Sequence, residues 1–124
     1  MSGSAEISPQ VQNLFVQLQQ LKAQLEASMR QKVQAEGMVR DIENALKELE
    51  KVDKNTVIYK TVGELMLKAS KDEVMEDLAE KKETYSLRWK TLERQEERSQ
   101  KRYQQLQQQL QESLGTVMPP TAAT

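Results

Sequence analysis

The sequence predicts a mainly α fold: a long antiparallel two-helix coiled coil joined by a single β-hairpin. Three observations predict it. Apolar residues recur with heptad spacing in each half, a short β-branched segment lies between the halves, and apolar residues are too few for a thick core. Of 124 residues, 37% are hydrophobic and 30% charged, with three prolines and four glycines. That supply fills a seam between helices but not a globular interior.

In the first half, Ile7, Val11, Leu14, Leu18, Leu21 and Leu25, then Ala35, Val39, Ile42, Leu46 and Leu49, recur in steps of four and three. Such steps place the a and d positions of a heptad on one stripe. Two of its core positions, Ser28 and Lys32, are polar. Ser8 followed by Pro9 is a start signal, an N-cap with proline at the first helical position. Asp53-Lys54-Asn55 ends the pattern, so the first helix is expected over residues 8–53. Gly37 falls on an outward position and costs about 1 kcal/mol relative to alanine.

The period then changes. Thr56 to Val62 is rich in β-branched and aromatic residues, Gly63-Glu64 punctuates, and Leu65 to Ser70 follows. This reads as a hairpin over residues 56–70 turning near Gly63, although Leu, Met and Ala would suit a helix equally. Ser70-Lys71-Asp72-Glu73 is a capping box, serine at the N-cap and glutamate at N3, opening a helix over residues 71–115. Its seam falls at Met75, Leu78, Lys82, Tyr85, Trp89, Leu92, Glu96, Ser99, Tyr103, Leu106, Leu110, Ser113 and Val117. Gly115 and Pro119-Pro120 stop the helix, and residues 116–124 read as a loose tail. A single domain is expected over residues 1–124.

Each helix comes to roughly 44 residues, or about 65 Å. Equal lengths around a central hairpin imply an antiparallel pair in which residue i faces roughly residue 125 − i. Ser28 and Lys32 then fall opposite the stretch holding Glu93, Glu96 and Glu97, and small Ala35 falls opposite bulky Trp89. One polar break meets the other. Ser28, Lys32, Glu96 and Ser99 are therefore expected to set the register, the best-attested use of polar residues in a coiled-coil core.

Composition narrows the function. The 18 basic and 19 acidic residues nearly cancel, so nothing electrostatic favours nucleic acid or an anionic membrane. There is no cysteine and no histidine, which removes thiolate chemistry and the commonest metal ligand and general base. No phosphate-binding loop motif occurs. Neither catalysis, a cofactor nor a metal is expected. No run approaches the roughly 18 apolar residues of a membrane span, and a soluble, cytoplasmic protein is expected.

Two surfaces remain. The hairpin is apolar on both faces, through Val57, Ile58, Tyr59, Val62, Leu65, Met66 and Leu67 around Gly63. It either packs on its own helix ends or assembles with other chains. Assembly is favoured, because a two-helix seam leaves little to cover both faces, and open strand edges invite pairing. The other surface is at the opposite end, where both termini lie. No charge occurs from Pro9 to Leu21 or from Tyr103 to Gln111, and Phe15, Val16, Leu114 and Met118 sit off the seam. These are either stray hydrophobes on a solvated face or a sticky patch, joined by Ile7, Val11, Leu14, Leu110 and Val117 where the helix ends fray.

The segment Val57 to Lys68, flanked by long heptad helices, resembles the β-class subunits of prefoldin, the chaperone family that delivers unfolded chains to group II chaperonins. The resemblance rests on Tyr59-Lys60, Val62-Gly63 and Leu65-Met66-Leu67, with Pro9-Gln10-Val11-Gln12, Arg30 to Glu36 and the Pro-Pro tail similar to archaeal members. One hairpin matches the β class, since the α class carries two. The resemblance implies a hexamer of two α and four β subunits whose hairpins close into a double β-barrel. It also implies an ATP-independent grip on unfolded polypeptides at the coiled-coil tips and hand-off to a group II chaperonin. A structural coiled-coil scaffold binding one folded partner is the alternative. A nucleic-acid-binding arm would want a basic patch, but Lys54, Lys60, Lys68 and Lys71 are offset by Asp53, Glu64, Asp72 and Glu73.

Overall fold

The computed structural model describes residues 7–115. Helix α1 (Pro9–Glu50) is followed by strands β1 (Ile58–Val62) and β2 (Leu65–Ala69) and by helix α2 (Lys71–Gly115). This is the mainly α, helix–hairpin–helix plan that the changing periodicity anticipates. No described helix is long and apolar enough to cross a membrane.

Ser8 opens α1 as its spacing suggests. Its Oγ accepts the Val11 N–H at 3.2 Å, and its carbonyl accepts the Gln12 N–H at 3.0 Å. Pro9 brings no N–H to a turn where none has an intrahelical acceptor. From Val11 on, every heptad core position of α1 is buried or half-buried, and so is every seam position of α2 from Met75 to Ser113.

The first helix ends at Glu50, three residues earlier than its spacing suggests. The N–H groups of Lys51 and Val52 turn back to the carbonyls of Glu48 and Leu49 at 3.2 and 3.1 Å, the tighter i→i+3 pattern of a closing turn. Asp53 then competes for the backbone. Its carboxylate accepts the Asn55 N–H at 3.4 Å and its carbonyl the Thr56 N–H at 3.0 Å, an Asx-type turn. Lys71 completes the stop, donating from Nζ to the carbonyls of Val52 at 2.8 Å and Glu50 at 3.5 Å. A cation there satisfies orphan carbonyls and suits the negative end of the helix.

The strands pair antiparallel, from Ile58 with Ala69 to Val62 with Leu65. They occupy less than residues 56–70, because Thr56 is drawn into the Asp53 turn and Ser70 caps α2. Gly63 has φ 61°, and no other described residue has a positive φ. A positive φ at only the first of two turn residues is the type II′ pattern, whose twist suits a hairpin and which favours glycine there.

The described residues form two compact units, 31–92 and the pair 7–30 with 93–115. In the second, Leu14, Leu18 and Leu106 are buried together, with Leu21, Tyr103 and Leu110 against them. In the first, Ala35, Ile42 and Leu92 are buried, and Trp89 locks the helices. Its indole N–H donates to Glu36 at 2.8 Å, and the Lys32 ammonium lies 5.0 Å from the ring centroid. Ala35, only 2% exposed, lies between those two partners in α1. Trp89→Phe keeps most of the apolar contact and deletes the N–H. It is expected to cost about 1–2 kcal/mol in urea unfolding, from a lost hydrogen bond to a charged acceptor and a weaker cation–π contact.

Candidate functional site: two exposed apolar surfaces

The hairpin register sorts its side chains. Ile58, Lys60 and Val62 share a face with Leu65, Leu67 and Ala69, while Tyr59 and Thr61 share the other with Met66 and Lys68. Only Ile58, Lys60 and Ala69 are half-buried. Val57, Tyr59, Val62, Leu65, Met66 and Leu67 are all exposed, from 44% at Leu67 to 69% at Met66. Among the described residues the sheet has two strands, so each strand keeps an unpaired edge. Two such strands are marginal in water by themselves.

Polar contacts hold the hairpin at its root. Lys60 Nζ reaches Glu73 at 2.9 Å and Asp77 at 3.5 Å, tying β1 to the first two turns of α2. Ser70 Oγ accepts the Glu73 N–H at 3.1 Å, the serine half of the capping box. The hydrogen bond from Lys60, and then its charge, hold the Glu73 carboxyl below the ordinary 4.5. Desolvation opposes this, and the Ser70 backbone N–H, the reciprocal half of the box, adds a smaller downward push. The same hydrogen bond and charge raise the Lys60 ammonium above its ordinary 10.5.

The second surface belongs to the unit that holds the beginning of α1 and the end of α2. Ile7, Phe15 and Val16 are exposed, at 49%, 41% and 50%. Val11 and Leu14, expected at the frayed end, are instead buried within the seam. Leu110 and Leu114 are half-buried. Val117 and Met118 lie outside the described residues. An open groove of about 370 Å³ runs here, with Phe15, Leu18, Tyr103 and Leu110 among its lining. Gln19, Lys22, Gln107 and Gln111 also line it.

The expected register residues Ser28, Lys32, Glu96 and Ser99 are each half-buried at seam positions. Lys32 has the Trp89 ring as a neighbour, a contact that the charge pattern did not suggest. Met29, Val33, Met38 and Leu87 are further exposed apolar residues that the sequence reading passed over. All four fall off the heptad stripe, so the same lettering that exposed Phe15 and Val16 would have found them.

These features define a class of protein: a helix–hairpin–helix chain that leaves apolar groups exposed on its hairpin and along its helices. The comparisons give the family. The prefoldin subunit family model matches residues 12–116. A prefoldin subunit beta of Archaeoglobus fulgidus is 55% identical over 92 residues, covering 74% of this chain and 79% of that protein. Another, of Methanothrix thermoacetophila, is 50% identical over 117 residues, covering 94% and 97%. The crystal structure of the prefoldin beta subunit from Thermococcus strain KS-1 is similar with a TM-score of 0.79 at 36% identity, covering 94% of this chain and 100% of that one. The chain belongs to the prefoldin family, among its β subunits. That is a family of chaperones, not of enzymes.

The Lys60–Glu73 contact has a signed pH signature. Because the folded Glu73 pKa lies below 4.5, its stabilising share is present above that value and is lost as pH falls through the folded pKa. The Lys60 share is present below 10.5 and is lost as pH rises through the raised folded value. Lys60→Gln is expected to return the Glu73 carboxyl toward its ordinary titration, read by carbon-detected NMR, while Glu73→Gln does the same for Lys60.

Proposed function

We propose that this chain is the β subunit of a cytoplasmic, ATP-independent holdase. In this reading it joins an α-class prefoldin subunit and further β copies, two α and four β, through its hairpin. The assembly captures unfolded polypeptides at the helix ends near the termini and passes them to a group II chaperonin. Neither nucleic acid nor membrane takes part.

The supporting observation is where the apolar side chains stay exposed. Strands with Leu65 at 63% and Met66 at 69% exposure present roughly the surface that a barrel would bury, with edges free to pair. Phe15 and Val16, on a charge-free stretch, offer separate apolar contacts. Each such contact is weak, and several subunits acting together would supply useful avidity.

Two variants separate the parts. Leu65→Asp with Met66→Asp is expected to abolish the mixed assembly, read by native mass spectrometry with an α-class partner. Phe15→Ser with Val16→Ser is expected to leave the assembly mass unchanged and to weaken protection of a denatured enzyme from aggregation several-fold. Undiminished protection by that second variant, or after removal of residues before Leu14 and after Leu110, would sink the client-binding assignment. A single stoichiometric complex with one folded protein and no protection of diverse unfolded ones would favour a scaffold.

A further inference from the structure

The groove beside Phe15 and Tyr103 has an unusual wall. From Pro9 to Leu21 glutamine takes five of thirteen positions, and from Tyr103 to Gln111 six of nine, with no charged residue in either stretch. Gln19, Gln107 and Gln111 line the groove over an apolar floor that includes Phe15 and Leu18. Each primary amide carries a carbonyl acceptor and two N–H donors, the same two kinds of group that a peptide unit carries. The helix backbones around the groove have already paired their own N–H and C=O groups along the ladder. Only side chains remain to hydrogen-bond a guest.

Charge and geometry narrow that guest. Lys22 is the one charged residue in the lining and disfavours a cationic guest, while the three glutamines neither select for sign nor carry a charge to desolvate. A helical guest has its peptide groups satisfied internally and gains nothing from these amides, whereas an extended segment brings unpaired ones. The volume of about 370 Å³ stands near the small end of the roughly 300–1,000 Å³ range of ligand sites. It fits a few residues, not a folded surface.

Resting on the client-binding reading above, we propose that this groove recognises the main chain of an extended polypeptide segment. Phe15, Leu18, Tyr103 and Leu110 take its apolar side chains, while Gln19, Gln107 and Gln111 hydrogen-bond its peptide groups. Binding therefore depends on the guest being unfolded and apolar, and little on its sequence.

The test uses the complete assembly and two labelled nonapeptides of alternating leucine and serine, one with alternate peptide nitrogens methylated. Each is titrated by fluorescence anisotropy against the wild type and against Gln19→Met with Gln107→Met and Gln111→Met. Methionine keeps the length and helix propensity of glutamine but has no amide. N-methylation is expected to weaken binding to the wild type about five- to tenfold, as loss of one net hydrogen bond implies. The methionine variant should bind both peptides equally, and about as weakly as the wild type binds the methylated one. An equal methylation penalty in both proteins overturns main-chain recognition while leaving apolar capture intact. Failure of the unmethylated peptide to bind the wild type overturns the client-binding reading itself, and this inference with it.

Discussion

Two helices packed together share one seam, and everything else about this chain depends on that limit. A coiled-coil seam takes about two residues in seven from each helix. Leu14, Leu18 and Leu106 use it fully in one unit, as do Ala35, Ile42 and Leu92 in the other. Among the described residues no second layer exists to receive anything more. Phe15 and Val16, one and two positions past buried Leu14, are therefore exposed by geometry, whatever their hydrophobicity. Leu65 and Met66 in the hairpin are exposed for the same reason. In a globular domain such residues would argue for a misplaced element; in a two-helix chain they are what a single seam leaves over.

Given that limit, the hairpin is positioned by polar contacts at its root and not by burial. Lys71 caps the end of α1, Ser70 caps the start of α2, and Lys60 bridges from β1 to Glu73 and Asp77. Each device uses a side chain within a few residues of an element boundary. The apolar groups of both strands are thus left free, because orientation has been assigned to charges and caps. Surface ion pairs of this sort add little stability. Their use here is directional.

Much of this was legible in the sequence. The 4-3 spacing identified the seam positions that the structure buries, and the Ser8 and Ser70 caps fixed two helix starts. The α1 end was misplaced by three residues because heptad lettering ignores the backbone competition that Asp53 introduces. Val11 and Leu14 illustrate a different failure. Their lettering said core, but nearness to the terminus suggested fraying, and the packing of Leu14 with Leu18 and Leu106 outweighs that. Lys32 shows what spacing cannot express. Lettering places it toward a glutamate-rich stretch and says nothing of rings, and its ammonium also lies 5.0 Å from the Trp89 ring centroid, where an aromatic face attracts a cation. The groove was illegible too, because glutamines on two separate helices form a wall only once the helices are packed.

The two exposed surfaces differ in what their backbones still have to offer, and this suits them to different lifetimes of contact. Strand edges keep unpaired N–H and C=O groups in register, so a second strand gains a cooperative ladder as well as apolar burial. Such contacts are slow to break, as permanent assembly requires. Around Phe15 the helix backbones are already satisfied, and a guest would meet only side chains: apolar ones, the Lys22 ammonium, and neutral amides whose hydrogen bonds largely replace those it made with water. The net gain per contact is small, and so is the barrier to release. Under the proposed function, the same chain would carry a surface that closes once and a surface that opens repeatedly. The difference comes from secondary structure, since both surfaces draw on similar hydrophobic side chains.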